Sequence, residues 1–352
     1  MLSFMSKEAA LLINLGSPDS TEVRDVRRYL AEFLGDERVI DVAWVRKIIV
    51  PGIILNTRPK KSAEAYASIW TDEGSPLMVT SYRQRDLVRE RLDIPVELAM
   101  RYGSPSIPEV VKSLLDSGVD RLFVLPLYPH YAMSSYETVV VKLMEVVNEH
   151  RPDLDIEFLQ PFYKDSDYIE ALWESARPHL EGAEYDRLLF SYHGIPERHL
   201  RLSDPSHAHC LCTHDCCRHP NPAHATCYRH QCLVTTDAFL KRGGIPPEKA
   251  FVSFQSRLGR DPWLRPYTDE TLKQWGEEGV GSVKVICPAF VTDCLETLEE
   301  IAEEGKEEFE KAGGKHFELI PCMNEHPRWI DMLAGRIETW RTNPARKPAL
   351  TV

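Results

Sequence analysis

Short apolar runs recur along the chain, spaced so that a helix fits between each pair. In the first half they are ALLINL from Ala10, VELAM from Val96, RLFVLPL from Arg121 and IEFLQ from Ile156. In the second half they are RLLFSYH from Arg187, FVSF from Phe251, VKVIC from Val283 and FELI from Phe317. Within each run apolar residues mostly follow one another without the in-out alternation of a half-exposed strand. A parallel sheet covered on both faces requires that pattern. The longer helix-like stretches between the runs supply the crossovers that parallel strands need. The pattern therefore predicts an α/β protein with two Rossmann-like doubly wound domains, each a parallel sheet flanked by helices, and a ligand cleft between them. The expected division is 1–165 and 166–324, with 325–352 as a helical stretch, from HPRWIDMLAGRIETW, packing back on the first domain.

Two strand ends look alike. LLINLGSP (Leu11 to Pro18) and LLFSYHGIP (Leu188 to Pro196) each run from an apolar strand into Gly-x-Pro, which puts Leu15 and His193 at equivalent positions. Ligands of open α/β sheets bind outside the carboxyl ends of strands, so both ends are candidates for the site. No GxGxxG, GxxxxGK[ST] or GxSxG pattern is present, which removes the main support for dinucleotide, P-loop and serine-hydrolase readings.

Composition narrows the picture further. At 352 residues the chain is too long for one simple core. A formal charge of -12 without any basic block speaks against nucleic acid as a partner. The start MLSFMSKEAALLINLG lacks the features of a secretory signal, and no apolar run reaches the roughly 18 residues a membrane span needs. A cytoplasmic setting is expected, where thiols stay reduced. That matters because six of the nine cysteines lie in HCLCTHDCCRHPNPAHATCYRHQC, between His209 and Cys232. Clustered cysteines in a reducing compartment point to metal rather than to disulfides.

Four further features carry candidate chemistry. His193, at a strand end followed by Gly and Pro, reads either as a hydrogen-bonded loop histidine or as a group held on a stiff frame that exchanges protons near neutral pH. If CPAFVTDCLETLEEIAEEGKEEFE is helical after Phe290, then Asp293, Glu296, Glu300 and Glu303 form a carboxylate ladder at spacings of three and four. Such a ladder is either a solvated acidic face or a path for divalent cations and protons. Arg58, Arg101, Tyr102 and Trp263 together suit a flat, apolar, carboxylated ligand, since rings stack on aromatics and Arg pairs with carboxylates, although singly each is more often a surface residue or core filler. Finally, WVRKIIVPGIILN, from Trp44 to Asn56, reads either as a buried helix-turn or as an exposed apolar lip for peripheral membrane contact.

SYHGIPERH, FQSRLGRDPWLRPYTDETL and CPAFVTDCLETLEEI together resemble the ferrochelatase family, and the likeness runs from LLINLGSPDS through PLYPHYAMSS to the end. The resemblance implies a lyase that inserts Fe2+ into protoporphyrin IX, the terminal step of haem biosynthesis, in a porphyrin cleft between the domains. It implies His193 and Glu296 as catalytic residues and contacts of the Fe2+ substrate, with Asp293 and Glu300 on an ion or proton path. Leu15, Arg58, Arg101, Tyr102, Tyr128 and Trp263 would lie near the macrocycle or its propionates. It also leaves room for contact with an upstream protoporphyrin-producing enzyme and for attachment to the inner face of a membrane. Where many family members have a histidine before the Leu-Glu pair, this chain has Cys294, which puts a two-histidine metal relay in doubt.

The cysteine-rich segment then reads as an internal insertion, 205–232, accessory to the core. Some family members carry a [2Fe-2S] cluster on such a segment, and the resemblance implies one here in preference to tetrahedral zinc. Cys210, Cys217, Cys227 and Cys232 are the expected ligands, with Cys216 as substitute, because adjacent Cys216 and Cys217 are expected to point apart. A non-enzymatic iron-sulfur or haem-binding protein on the same fold is the alternative, and a chelatase for another tetrapyrrole or metal is the nearer rival.

Overall fold

The computed structural model describes residues 7–342 other than Arg260. It divides into two compact units: residues up to Leu127 with Met133–Gln160 and Ile330 onward, and Tyr128–Ala132 with Pro161–Trp329. Each expected apolar run is a strand. They are β1 (Glu8–Asn14), β2 (Val96–Met100), β3 (Arg121–Pro126), β4 (Asp155–Phe158), β5 (Arg187–His193), β6 (Ala250–Gln255), β7 (Ser282–Ile286) and β8 (His316–Leu319).

In the first unit the strand order is β2-β1-β3-β4, all parallel, with Leu12 of β1 opposite Leu98 on one side and Leu125 on the other. Ala9 to Ile13 have no exposed surface, as a central strand buried on both faces must. Beyond β1 the backbone N–H groups of Arg101 and Tyr102 donate to the carbonyls of Asn14 and Leu15 at 2.8 and 2.9 Å. Gly16 makes this close approach feasible: its φ is +105°, and a Cβ there would sit 1.8 Å from the Tyr102 carbonyl oxygen. The helix Pro327–Thr342 closes the opposite side of the core from Ile330 onward. Its Trp340 stacks on Phe123 with ring centroids 5.3 Å apart, and Arg121 lies over the Trp340 ring. Of the 325–352 stretch, residues 343–352 lie outside the described residues.

The second unit repeats the plan, with order β6-β5-β7-β8, again all parallel. β5 thus holds the place in its sheet that β1 holds in the first, so Leu15 and His193 do follow or end topologically equivalent strands. Leu189, Val283 and Val285 of this sheet pack with Leu272, Trp275, Ile301 and Phe309 from the helices that cover it.

The apolar segment after Trp44 is neither buried nor α-helical. Val45–Ile54 forms a π-helical stretch, with Trp44, Ile48 and Ile53 exposed by 61, 64 and 55% and only Val50 turned fully inward. Pro51 interrupts the ordinary ladder. The side chains of Asn56 and Thr57 donate to the carbonyls of Pro51, Gly52 and Ile53 instead. No helix among the described residues is long and apolar enough to cross a membrane.

Candidate active site

His193 is the last residue of β5, and the chain turns immediately after it. The Gly194 N–H donates to Gln255 O at 2.6 Å, continuing the β5-β6 pairing for one more step. A Cβ at Gly194 would lie 2.8 and 2.9 Å from the carbonyl oxygens of Ser256 and Gln255 and 3.4 Å from the Trp263 ring, so only glycine fits the turn. Trp263 is fixed in turn by its indole N–H, which donates to Leu258 O at 3.0 Å. The imidazole Nδ1 of His193 is 2.6 Å from Gly194 O. A carbonyl oxygen can only accept, so in the neutral ring Nδ1 carries the proton and Nε2 keeps its lone pair. Burial lowers the His193 pKa below the ordinary value, and the Glu296 carboxylate only partly offsets this. Phe290 flanks the ring edge-on, with centroids 6.3 Å apart.

The expected continuous helix after Phe290 is corrected by the structure. Leu295–Leu298 is a single α-turn, Glu300–Gly305 is π-helical, and α-helix resumes only over Lys306–Lys311. The Glu304 N–H reaches back to Glu299 O at 2.9 Å, a five-residue closure that breaks the three-and-four register on which the ladder depends. Glu303 lies in solvent. Asp293 does not stand in line with the glutamates either. Its carboxylate accepts from Asn324 Nδ2 at 2.6 Å, Thr297 Oγ1 at 3.1 Å and the Cys322 N–H at 3.2 Å. With those donors it fastens the turn.

Glu296 and Glu300 do lie close enough to His193 or to each other to interact electrostatically. The Gln255 side chain ties the backbone here: its amide donates to Glu296 O at 2.6 Å while its oxygen accepts from Ser191 Oγ at 2.8 Å. Ser256, held at a φ of +61°, donates its hydroxyl to the Glu300 carboxylate. Burial, followed by the neighbouring Glu296 charge, pushes Glu300 up to about 7 despite that hydrogen bond. A neutral imidazole and a carboxyl that titrates near neutrality therefore share the carboxyl end of the second sheet. Gln255 and Ser256 were not singled out from sequence, since their partners lie far along the chain. Tyr128, half-buried, belongs to this same unit.

Leu15, Arg58, Arg101 and Tyr102 belong to the first unit. Leu15 is half-buried and Arg58 is exposed, with no ion-pair partner among the described residues. Arg101 and Tyr102, expected as ligand contacts, are both engaged within this unit. The Arg101 guanidinium is bonded to the Asp36 carboxylate and to Thr138 Oγ1, the latter at 2.7 Å, and stacks over the Tyr102 ring. Tyr102 has no exposed surface, and its hydroxyl donates to Asp36 at 2.9 Å. Burial alone would raise the Asp36 carboxyl, but the Thr138 hydroxyl, the Arg38 N–H and the Arg101 charge outweigh it and hold the pKa below the usual range. A cation already neutralised and a ring already buried are packing elements of this unit.

In the cysteine-rich segment Cys210, Cys216, Cys217, Cys227 and Cys232 are buried and Cys212 is exposed. Among the described residues no group of three or more His, Cys, Asp or Glu side chains is arranged to hold a metal ion, so the expected thiolate cage is not preformed. The thiols nonetheless face one another. Contact with the Cys210 thiol is the leading cause that pushes Cys227 up to about 12, and contact with Cys227 and then burial push Cys217 higher still. Cys216 contacts Cys217 rather than pointing away from it, which corrects the expected divergence. Cys232 lies a turn into the helix Tyr228–Gly243, its thiol on the Tyr228 side chain, and burial drives it well above the ordinary value. Asp204 secures the start of the loop by accepting from the His209 and Cys210 N–H groups, both at 2.8 Å.

The architecture places the protein among the chelatase folds. SirB from Bacillus subtilis with Fe3+ matches with a TM-score of 0.55 at 13% identity, over 96% of this chain and 97% of that one. The sirohydrochlorin chelatase SirB from Bacillus subtilis subspecies spizizenii in complex with cobalt matches at 0.52 and 10%, over the same shares. Sequence carries the assignment further. The ferrochelatase family profile matches residues 7–340. The ferrochelatase of Opitutus terrae is 53% identical over 96% of this chain and 98% of its own length, and that of Pseudomonas entomophila 52% over 95% and 99%. The chain belongs to the ferrochelatase family, the lyases that insert Fe2+ into protoporphyrin.

Proposed function

We propose that this chain inserts Fe2+ into protoporphyrin IX to give protohaem, with His193 as the proton acceptor and Glu296 and Glu300 as the acidic groups that meet the ion or carry protons away. The observation that carries the assignment of roles is the pairing at one sheet edge of an imidazole kept neutral by burial with a carboxyl raised to about 7. Porphyrin nitrogens are blocked by two N–H protons, and their lone pairs lie in the ring plane. Metal entry therefore needs a base and a ring bent toward the transition state, the bending drawn from binding energy elsewhere on the macrocycle. The unprotonated Nε2 of His193 serves as that base. Glu300, half-protonated near neutrality, passes a proton in either direction, and Glu296 beside it supplies the standing negative charge that favours Fe2+. Trp263 and Tyr128 would contact the macrocycle, with Leu15 and Arg58 as contacts from the first unit. Asp293 holds the acidic turn in place.

The buried thiols of Cys210, Cys217 and Cys227, joined by Cys216 or Cys232, are chemically suited to a [2Fe-2S] cluster, for which thiolates must be freed of their protons by the metal. The cluster would be accessory, and no chemical step passes through it. The exposed Trp44, Ile48 and Ile53 support a peripheral contact of the lip with a bilayer surface, which suits a cytoplasmic protein taking an apolar substrate from an upstream enzyme.

The test is anaerobic. Purified protein is scanned in the visible before substrate is added, then mixed with protoporphyrin IX and Fe2+, and haem formation is followed. His193→Ala is expected to reduce the rate by about 10²–10⁴-fold, the range of a positioned acid-base group. Porphyrin bound without turnover by the wild type would refute the enzyme reading, and absence of sulfide-to-iron bands in freshly isolated protein would refute the cluster.

A further inference from the structure

The peptide group that carries His193 is pinned at both of its polar atoms. On one side the Gly194 N–H donates to Gln255 O at 2.6 Å, a bond internal to the sheet. On the other side the His193 carbonyl accepts from the Tyr228 hydroxyl at 2.9 Å. Tyr228 immediately follows Cys227 and opens the helix Tyr228–Gly243, so the second pin comes from the cysteine-rich segment. The position of this plane matters to the imidazole twice: His193 Cα is bonded to it, and the Gly194 oxygen that orients Nδ1 is one peptide further on.

Tyr228 is itself held on a short chain of rings. Its ring meets that of His130 edge-on at 5.8 Å, and His130 meets Tyr192, the residue before His193, at 5.4 Å. His130 Nε2 is 2.9 Å from Thr235 Oγ1, and the Tyr192 hydroxyl donates to Cys232 O at 2.9 Å. The Gln231 side chain completes the frame, accepting from the Tyr131 N–H at 2.7 Å and donating to Ala225 O at 2.9 Å. Two of these links, from Tyr228 to His193 O and from Tyr192 to Cys232 O, run directly between the thiol-bearing segment and the strand that ends in His193, and the others brace both through His130 and Tyr131. Cys227 is bonded directly to Tyr228, so the backbone that places the Cys227 thiol also places the phenol that meets the His193 carbonyl.

We propose that Tyr228 is a positioning residue for His193, through which the arrangement of the Cys210, Cys217 and Cys227 thiols is felt at the reaction site. The inference rests on the reading of His193 as the proton acceptor. Nothing in the local sequence announces it, since Tyr228 sits among histidines and cysteines whose obvious role is metal binding.

Tyr228→Phe keeps the ring packing and removes only the hydroxyl. With the full-length protein and protoporphyrin IX, kcat is expected to fall about tenfold while the porphyrin KM stays within about twofold, because the pin acts on the base and not on the bound ring. A purely structural role would lower the unfolding midpoint and leave kcat per folded molecule unchanged, and that result overturns the proposal. Coupling is read by a double-mutant cycle with Cys227→Ser, or Cys217→Ser if the former does not fold. The thiol substitution should slow the wild type but add little in the Tyr228→Phe background, whereas independent multiplicative losses overturn the transmission. His193→Ala separates the two readings. If it retains full activity, the assignment of the base fails; if it is inactive while Tyr228→Phe matches the wild type, only the positioning role fails.

Discussion

Replacing Glu300 by Gln tests the electrostatics of the acidic turn without changing its shape, and the amide oxygen can still accept from the Ser256 hydroxyl. The ordinary carboxyl value is 4.5 and the folded value about 7, so the folded protein holds this proton more tightly than the unfolded chain does. Between those two values the unfolded chain has already lost the proton while the folded one keeps it. Stability contributed at this position is therefore present below pH 4.5, declines as pH rises toward 7, and levels off above it. A difference of that size is worth about 3 kcal/mol once both states are ionised, at about 1.4 kcal/mol per unit. Less than about 1 kcal/mol of this is felt near pH 5 and nearly all of it near pH 8, so the wild type should lose about 2.5 kcal/mol more than Glu300→Gln between the two. Urea unfolding monitored by circular dichroism at a series of pH values reads the difference directly, because all other groups titrate in both proteins. Parallel stability curves across the window would show that Glu300 ionises normally and would sink both the electrostatic argument and the proton-carrier role.

Arg101→Ala leaves Asp36 buried without its cation, and removing one partner of such a pair costs about 3–5 kcal/mol. A loss under about 1 kcal/mol in denaturant titration would refute the stabilising role of this pair. At the lip, Trp44→Glu with Ile48→Glu should abolish co-sedimentation with phospholipid vesicles while leaving the melting temperature within about 2 °C, since both side chains are already in water. Unchanged sedimentation of the double variant would refute bilayer contact by this segment.

The strands were legible because a doubly buried strand must be apolar at nearly every position, and runs such as ALLINL have no other economical reading. His193 was legible for a related reason, as Gly194 and Pro196 mark where β5 has to stop. The acidic turn was not. A π-helical closure shifts the register by one residue without altering composition, so CLETLEEIAEEG looks like an α-helix until the Glu304 to Glu299 hydrogen bond is seen. The Asp36 partner of Arg101 was hidden for another reason. AMRYGSP presents a cation beside an aromatic, and the carboxylate that claims both, Asp36, lies 65 residues earlier. The raised value of Glu300 likewise depends on burial that no local pattern encodes, and the Ser256 hydroxyl that partly opposes it lies 44 residues away.

The first unit draws on segments from both ends of the chain, and this fixes an order of events on the ribosome. Phe123 waits for Trp340 to cover it, and Glu8 waits for Arg341. Everything the second unit needs, Pro161–Trp329 together with Tyr128–Ala132, has been synthesised before either of those residues is made. The earlier half therefore keeps an unsealed apolar flank until synthesis is nearly complete, a departure from the usual N-to-C sequence of domain folding.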